Sequence, residues 1–152
     1  MPCYLAIPPL ATRLPAMRSR QVFFIGETMS RDTELLSAIQ TYFDALYACD
    51  LELFDRVFHP ACSLFDADEG AIVVDPIAAY REVIAKRISP SSRSQPRQDE
   101  IILIDWLSDA SATIKVRLRI HENIFIDHLC FVKGTDSWRI VAKIWHLERR
   151  MA

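Results

Sequence analysis

Residues 111–121, Ser-Ala-Thr-Ile-Lys-Val-Arg-Leu-Arg-Ile-His, decide the fold. Ile114, Val116, Leu118 and Ile120 alternate with Lys115, Arg117, Arg119 and His121. Side chains on a β-strand point alternately to opposite faces, so this is a strand with one buried and one wet face. The basic row reads as that solvated face, since a few charges do not make a phosphate site. Three more strand-like stretches surround it, at about 99–107, 123–133 and 137–147, with turn chemistry at Asp109 and at Gly134-Thr135-Asp136. Two of these are apolar on both sides. Residues 123–133 set Ile124, Ile126, Cys130 and Val132 against Phe125, Leu129 and Phe131, and residues 137–147 set Trp138, Ile140 and Ile144 against Val141 and Trp145. A sheet apolar on both faces needs two covers. Helices supply one. A homodimer through the outer sheet face is the expected second, with a fold-back of the N-terminal segment as the alternative.

Upstream, the period changes from two to about 3.6 residues. Ser30 suits a helix N-cap, with Asp32 and Glu34 favouring the positive end of the helix dipole, and Leu35, Ile39, Tyr42, Phe43, Leu46 and Cys49 recur at helical spacing. Asp50 is placed to cap a second short helix carrying Leu51, Phe54, Val57 and Phe58, which Pro60 stops. Two short strands are expected at 62–66 and 71–75 around Asp68-Glu69-Gly70, followed by a helix begun by Pro76 with Ile77, Tyr80, Ile84 and Ile88 as its stripe. A polar loop covers 89–98. Helices first and a mostly antiparallel sheet afterwards make an α+β domain over residues 30–149. Residues 1–29 differ: they are rich in proline and arginine, lack acidic residues before Glu27, and are expected to be a disordered extension or an over-extended start before Met29.

Composition removes several classes of function. The 152 residues include only three glycines, Gly26, Gly70 and Gly134, far apart, so no glycine-rich phosphate loop exists. A net charge of −2 argues against nonspecific nucleic-acid binding. No apolar run reaches the roughly 18 residues of a membrane span. Cys3, Cys49, Cys62 and Cys130 have no short spacing, and His59, His121, His128 and His146 form no zinc pattern. No metal and no cofactor is expected, and the scattered cysteines read as thiols in a reducing, cytoplasmic compartment.

The order of elements, with Tyr42, Leu46 and Asp50, then Phe58-His59-Pro60, then Phe125-Ile126-Asp127-His128-Leu129, Lys133-Gly134 and Trp138-Arg139-Ile140-Val141-Ala142-Lys143, resembles nuclear transport factor 2-like proteins. Within that superfamily the chain is similar to the small bacterial lumazine-binding branch, related to polyketide-cyclase-like proteins. The resemblance covers about residues 31–148. It implies a cystatin-like cone, a strongly curved sheet wrapped around three helices with a pocket at the open end, and dimers as the usual assembly. The superfamily hosts isomerases, dehydratases, cyclases and non-catalytic binders, so the fold alone names no activity.

Asp127 is the sharpest candidate site residue. Aspartate is disfavoured in strands, and it shares a side with Phe125, Leu129 and Phe131. Facing the cone interior, its carboxyl would be desolvated and suited to proton transfer. The structural alternative is an Asp paired with a base on the next strand, such as Lys143. The resemblance puts His59 near the pocket rim, where a His–Asp pair could move a proton; the alternative is a histidine closing the second helix. Asp105, inside Ile101-Ile102-Leu103-Ile104, is a second carboxyl candidate. Tyr42 or Tyr47 would offer a hydroxyl, though the two lie five residues apart and cannot share one helix stripe. Trp106 and Trp145 are candidates for an aromatic pocket wall. The sequence therefore supports a protein that binds a small apolar or aromatic molecule, with a cofactor-independent isomerase, cyclase or dehydratase using Asp127 and His59 as the alternative.

Overall fold

The computed structural model describes residues 30–152. The expectations for the extension, Cys3 and Gly26 lie outside the described residues. Helix α1 runs Arg31–Ala48 and α2 Leu51–Val57; strands β1 (Phe58–Asp66) and β2 (Val73–Pro76) follow, then α3 (Ile77–Lys86), and strands β3 (Asp99–Ser108), β4 (Ser111–Ile120), β5 (Asn123–Lys133) and β6 (Trp138–Arg150) complete the chain. The fold is α+β, as the patterning requires.

The helix starts follow from their caps. The Ser30 hydroxyl accepts from the Asp32 amide at 3.2 Å. The Asp50 carboxylate accepts from the amides of Glu52 and Leu53 at 2.9 and 3.0 Å, which matters because a seven-residue helix is far too short to persist alone. Helix α2 ends at Val57, and the chain passes directly into β1, so Pro60 sits within a strand and does not terminate the helix. Helix α3 stops earlier than its apolar spacing suggests: Arg87 is extended, and Ile88 lies outside the stripe at 58% exposure. Gly70 adopts φ +91° in the β1–β2 turn, a conformation that glycine enters without steric cost.

The six strands form one sheet in the order β2-β1-β6-β5-β4-β3, antiparallel except for the β1–β6 pair. Its inner face packs on all three helices in one core that includes Leu35, Ile39, Phe54, Ile84, Ile114 and Leu129. Strand β4 has the alternation read from its sequence, with Ile114, Val116 and Leu118 buried. Register shifts interrupt the ladders at several places, in β3 against β4 and in β6 against β5 and β1. Bulges of this kind bend and twist a sheet, which is how six strands wrap the helices.

One bulge changes the reading of β6. Phe131 pairs with Ile140, but the preceding Cys130 pairs with Ala142, leaving Val141 as an extra residue. The alternation slips by one there. Trp138 and Ile140 face inward before the bulge, and Lys143 is buried after it, while Ile144 is turned out at 56% exposure. The expectation that Ile144 shares a face with Trp138 and Ile140 fails for this reason. No helix among the described residues is long and apolar enough to cross a membrane.

Candidate functional site

Asp127 on β5 pairs directly with Val116 on β4 and with Trp145 on β6, which places it on the inner face. It is 1% exposed. Lys143 lies two residues before Trp145 on the adjacent strand and reaches Asp127 diagonally, with Nζ 2.9 Å from Oδ2. Tyr42, rising from α1, donates its hydroxyl proton to the same Oδ2. Lys143 also donates to the Tyr42 hydroxyl at 2.9 Å. Three buried polar groups from three elements thus satisfy one another around one carboxylate oxygen. The second oxygen, Asp127 Oδ1, has no partner among the described residues.

Burial dominates the electrostatics of this triad. It pushes the Tyr42 phenol well above its usual range, and the neighbouring Asp127 charge adds to that. Burial is the largest single influence on the Lys143 ammonium and opposes it, but the charge and hydrogen bond of Asp127 together with Tyr80 outweigh it and leave the lysine above its ordinary value. Lys143 is therefore a held cation and Tyr42 a neutral donor at physiological pH.

Asp127 and Lys143 open on a cavity of about 230 Å³. Leu46, Leu64, Leu118, Ile120, Phe125 and Trp145 form an apolar wall, Asp127 and Lys143 the polar floor, and Tyr80, Val83 and Arg87 of the α3 region the side toward solvent, with Asp75 nearby. Phe125 and Trp145 stack edge to face with centroids 5.9 Å apart, which fixes the two rings that meet any occupant. Since about 150 Å³ suffices for benzene, this space suits a ligand of one or two rings.

The structure brings Asp127, Tyr42 and Trp145 together and sends the other candidates elsewhere. His59 is exposed: Phe58 takes the inward position at the start of β1, so the next residue points out, and the His59 Nδ1 accepts from the Ala61 amide at 3.1 Å. It lines a separate surface groove with Val132 and Arg139. His59 and Asp127 do not form a pair. Tyr47, about 140° around α1 from Tyr42, donates to the Gln95 carbonyl at 2.7 Å and carries the Arg97 guanidinium over its ring. Asp105 is exposed and pairs with Thr113, on the sheet face opposite Asp127, so Asp105 and Asp127 do not share a cavity. Trp106 packs edge to face on Trp138 under the Arg31 guanidinium, away from the cavity. Sequence reasoning named Lys143 only as a structural partner and missed Arg87 and Tyr80; a lysine inside the apolar run Trp138–Trp145 was the available signal. No group of three or more His, Cys, Asp or Glu able to hold a metal ion occurs among the described residues.

Comparison with known proteins agrees with this architecture. Similar solved structures include a nuclear transport factor 2-like protein of unknown function from Silicibacter pomeroyi DSS-3, at 20% identity and TM-score 0.70 over 80% of this chain and 98% of that one. A cystatin-like fold protein from Burkholderia xenovorans LB400 aligns at 15% identity and TM-score 0.59, over 79% of this chain and 93% of that one. A ketosteroid isomerase-like protein from Erwinia carotovora atroseptica SCRI1043 aligns at 12% identity and TM-score 0.57, over 76% and 95% of the two chains. At these identities the likeness is one of fold. No curated protein matches. The model of the family described as "Putative lumazine-binding" matches residues 30–146, the whole span of helices and nearly all of the sheet. The chain belongs to that family, and its fold is the one shared by these nuclear transport factor 2-like and cystatin-like structures.

Proposed function

We propose that this protein binds a small, mostly apolar ring molecule in the cavity between α3 and the sheet, with Asp127 and Lys143 as its polar floor and Tyr42 behind them holding the pair. The carrying observation is a buried ion pair facing an otherwise apolar space of about 230 Å³. Such concave, apolar sites with a few convergent polar groups are the usual form of small-molecule sites. The family's description adds a pterin-like ring as one occupant to try. The test is native mass spectrometry of the purified chain, followed by identification of the released molecule. A bound species that is lost in Val83→Trp, a substitution at the half-exposed mouth, is the expected result. An empty protein that no ring compound stabilises against heat would end this reading.

A second reading is catalytic, and the unpartnered Asp127 Oδ1 favours it. Lys143 and Tyr42 hold Oδ2, which leaves Oδ1, enclosed but without a partner among the described residues, as the oxygen that takes a proton from a ligand carbon once the carboxylate turns toward the cavity. Isomerisation, cyclisation or dehydration without a cofactor are the reactions such a base serves. Incubating the bound molecule with the protein in deuterated water distinguishes the readings: a catalyst exchanges a carbon-bound hydrogen, and a binder does not.

The assembly proposed is a homodimer through the outer sheet face, where Val132 and Ile144 are exposed and Ile126 and Cys130 half-buried. The compartment proposed is the cytoplasm, which suits the free thiols of Cys49, Cys62 and Cys130.

A further inference from the structure

The polar groups of the cavity have unused bonding capacity of a definite kind. Lys143 has three N–H donors and places two of them, on Asp127 and Tyr42. Tyr42 donates to Asp127 and accepts from Lys143, so its hydroxyl is satisfied. Asp127 Oδ1 accepts nothing from the described residues, although a buried carboxylate oxygen without a donor is costly. Arg87, at the C-cap of α3, lines the same cavity, is half-buried, and makes no ion pair among the described residues, whereas Arg81, Arg97 and Arg117 each hold a carboxylate. Its positive field reaches the floor, where it opposes the charge on Lys143 and eases ionisation of Tyr42. Two cations therefore face a space whose one buried carboxylate is already shared; Asp75, the other acid on the wall, is exposed and screened by solvent.

Resting on the pocket reading above, we propose that the ligand is a compact one- or two-ring acid that also carries an N–H or O–H donor. Its anionic group lies against the Arg87 guanidinium. Its donor completes Asp127 Oδ1. The ring lies against the sheet wall of Leu118, Ile120, Phe125 and Trp145, with Tyr80 and Val83 on the side of α3. Arg87 acts as the residue that selects for charge, and Asp127 as the one that selects for a donor.

Calorimetric titration of the full chain with 2-naphthol, 2-naphthoate and 6-hydroxy-2-naphthoate separates the two features. 6-Hydroxy-2-naphthoate is expected to bind most tightly. Arg87→Gln, a surface change at a helix end, is expected to weaken both naphthoates about tenfold and leave 2-naphthol unaffected. The comparison of the two naphthoates reports the donor without disturbing Asp127, whose substitution threatens the fold. Equal affinity for 2-naphthol and 2-naphthoate, unchanged by Arg87→Gln, would overturn the acid assignment while the cavity reading stands. Equal affinity of the two naphthoates would overturn the donor assignment. Failure of all three to bind, or binding that survives Val83→Trp, would defeat the cavity reading and this inference with it.

Discussion

At the scale of single residues, the molecule depends on Asp127 and Lys143 compensating each other. Removing one member of a buried ion pair leaves the other uncompensated, at a cost of about 3–5 kcal/mol, whereas replacing both by apolar groups of similar size is often close to neutral. Asp127→Asn and Lys143→Met are each expected to destabilise by that amount, and Asp127→Leu with Lys143→Met by much less than the sum of two such losses. Urea denaturation of the variants measures this. Simple additivity would show that the pair does not act as a unit. The pH dependence follows from the raised values of Lys143 and Tyr42. Below about pH 10 both groups are protonated in the folded and the unfolded chain, so their contribution is complete. Above that, the unfolded chain, with its lower pKa values, releases protons first, and stability falls as pH rises toward the folded values. The urea midpoint should therefore drop above about pH 10 in the wild type and drop less when Lys143 and Asp127 are both apolar.

At the scale of elements, stability rests on caps and sheet register. Helix α2 carries Phe54 into an aromatic group with Phe58 and Tyr80 and is held at its start by Asp50. Asp50→Ala should cost about 1 kcal/mol, read as a lower unfolding midpoint, and Asp50→Asn much less. These features were legible in the sequence because they are local: Ser30 and Asp50 announce their helices, and the alternation of Ile114, Val116 and Leu118 announces β4. Asp127 was legible for a related reason, since a carboxylate in an apolar strand demands an explanation. What was not legible depends on long-range register. The face of Asp105 is set by its pairing with Thr113, and the inward turn of Lys143 by an extra residue at Val141, neither of which alternation along one strand can reveal. The outward turn of His59 is set in the same way, because the boundary between α2 and β1 falls just before Phe58, where the period changes from helix to strand.

At the scale of the whole molecule, the sheet presents its inner face to the helices and leaves Val132 and Ile144 exposed on its outer face, with Ile126 and Cys130 half-buried. If two copies meet there, a charge in the middle of the patch should separate them. Ile144→Glu is expected to convert a dimer into a monomer by light scattering, with the cavity and its ligand retained because Ile144 points away from them. A wild-type monomer would remove the dimer from the account and leave the outer face to another partner.

The bulge at Val141 divides β6 into two tracts. Residues before it, Trp138 and Ile140, are anchored in the core; those after it, Lys143 and Trp145, belong to the cavity wall. Because the slip in alternation separates the tracts, ligand preference can drift through changes in the second without disturbing the anchoring supplied by the first. Diversity introduced at Trp145 and its cavity neighbours should accordingly yield folded proteins with new tastes, whereas the same diversity at Trp138 or Ile140 should yield few folded proteins at all.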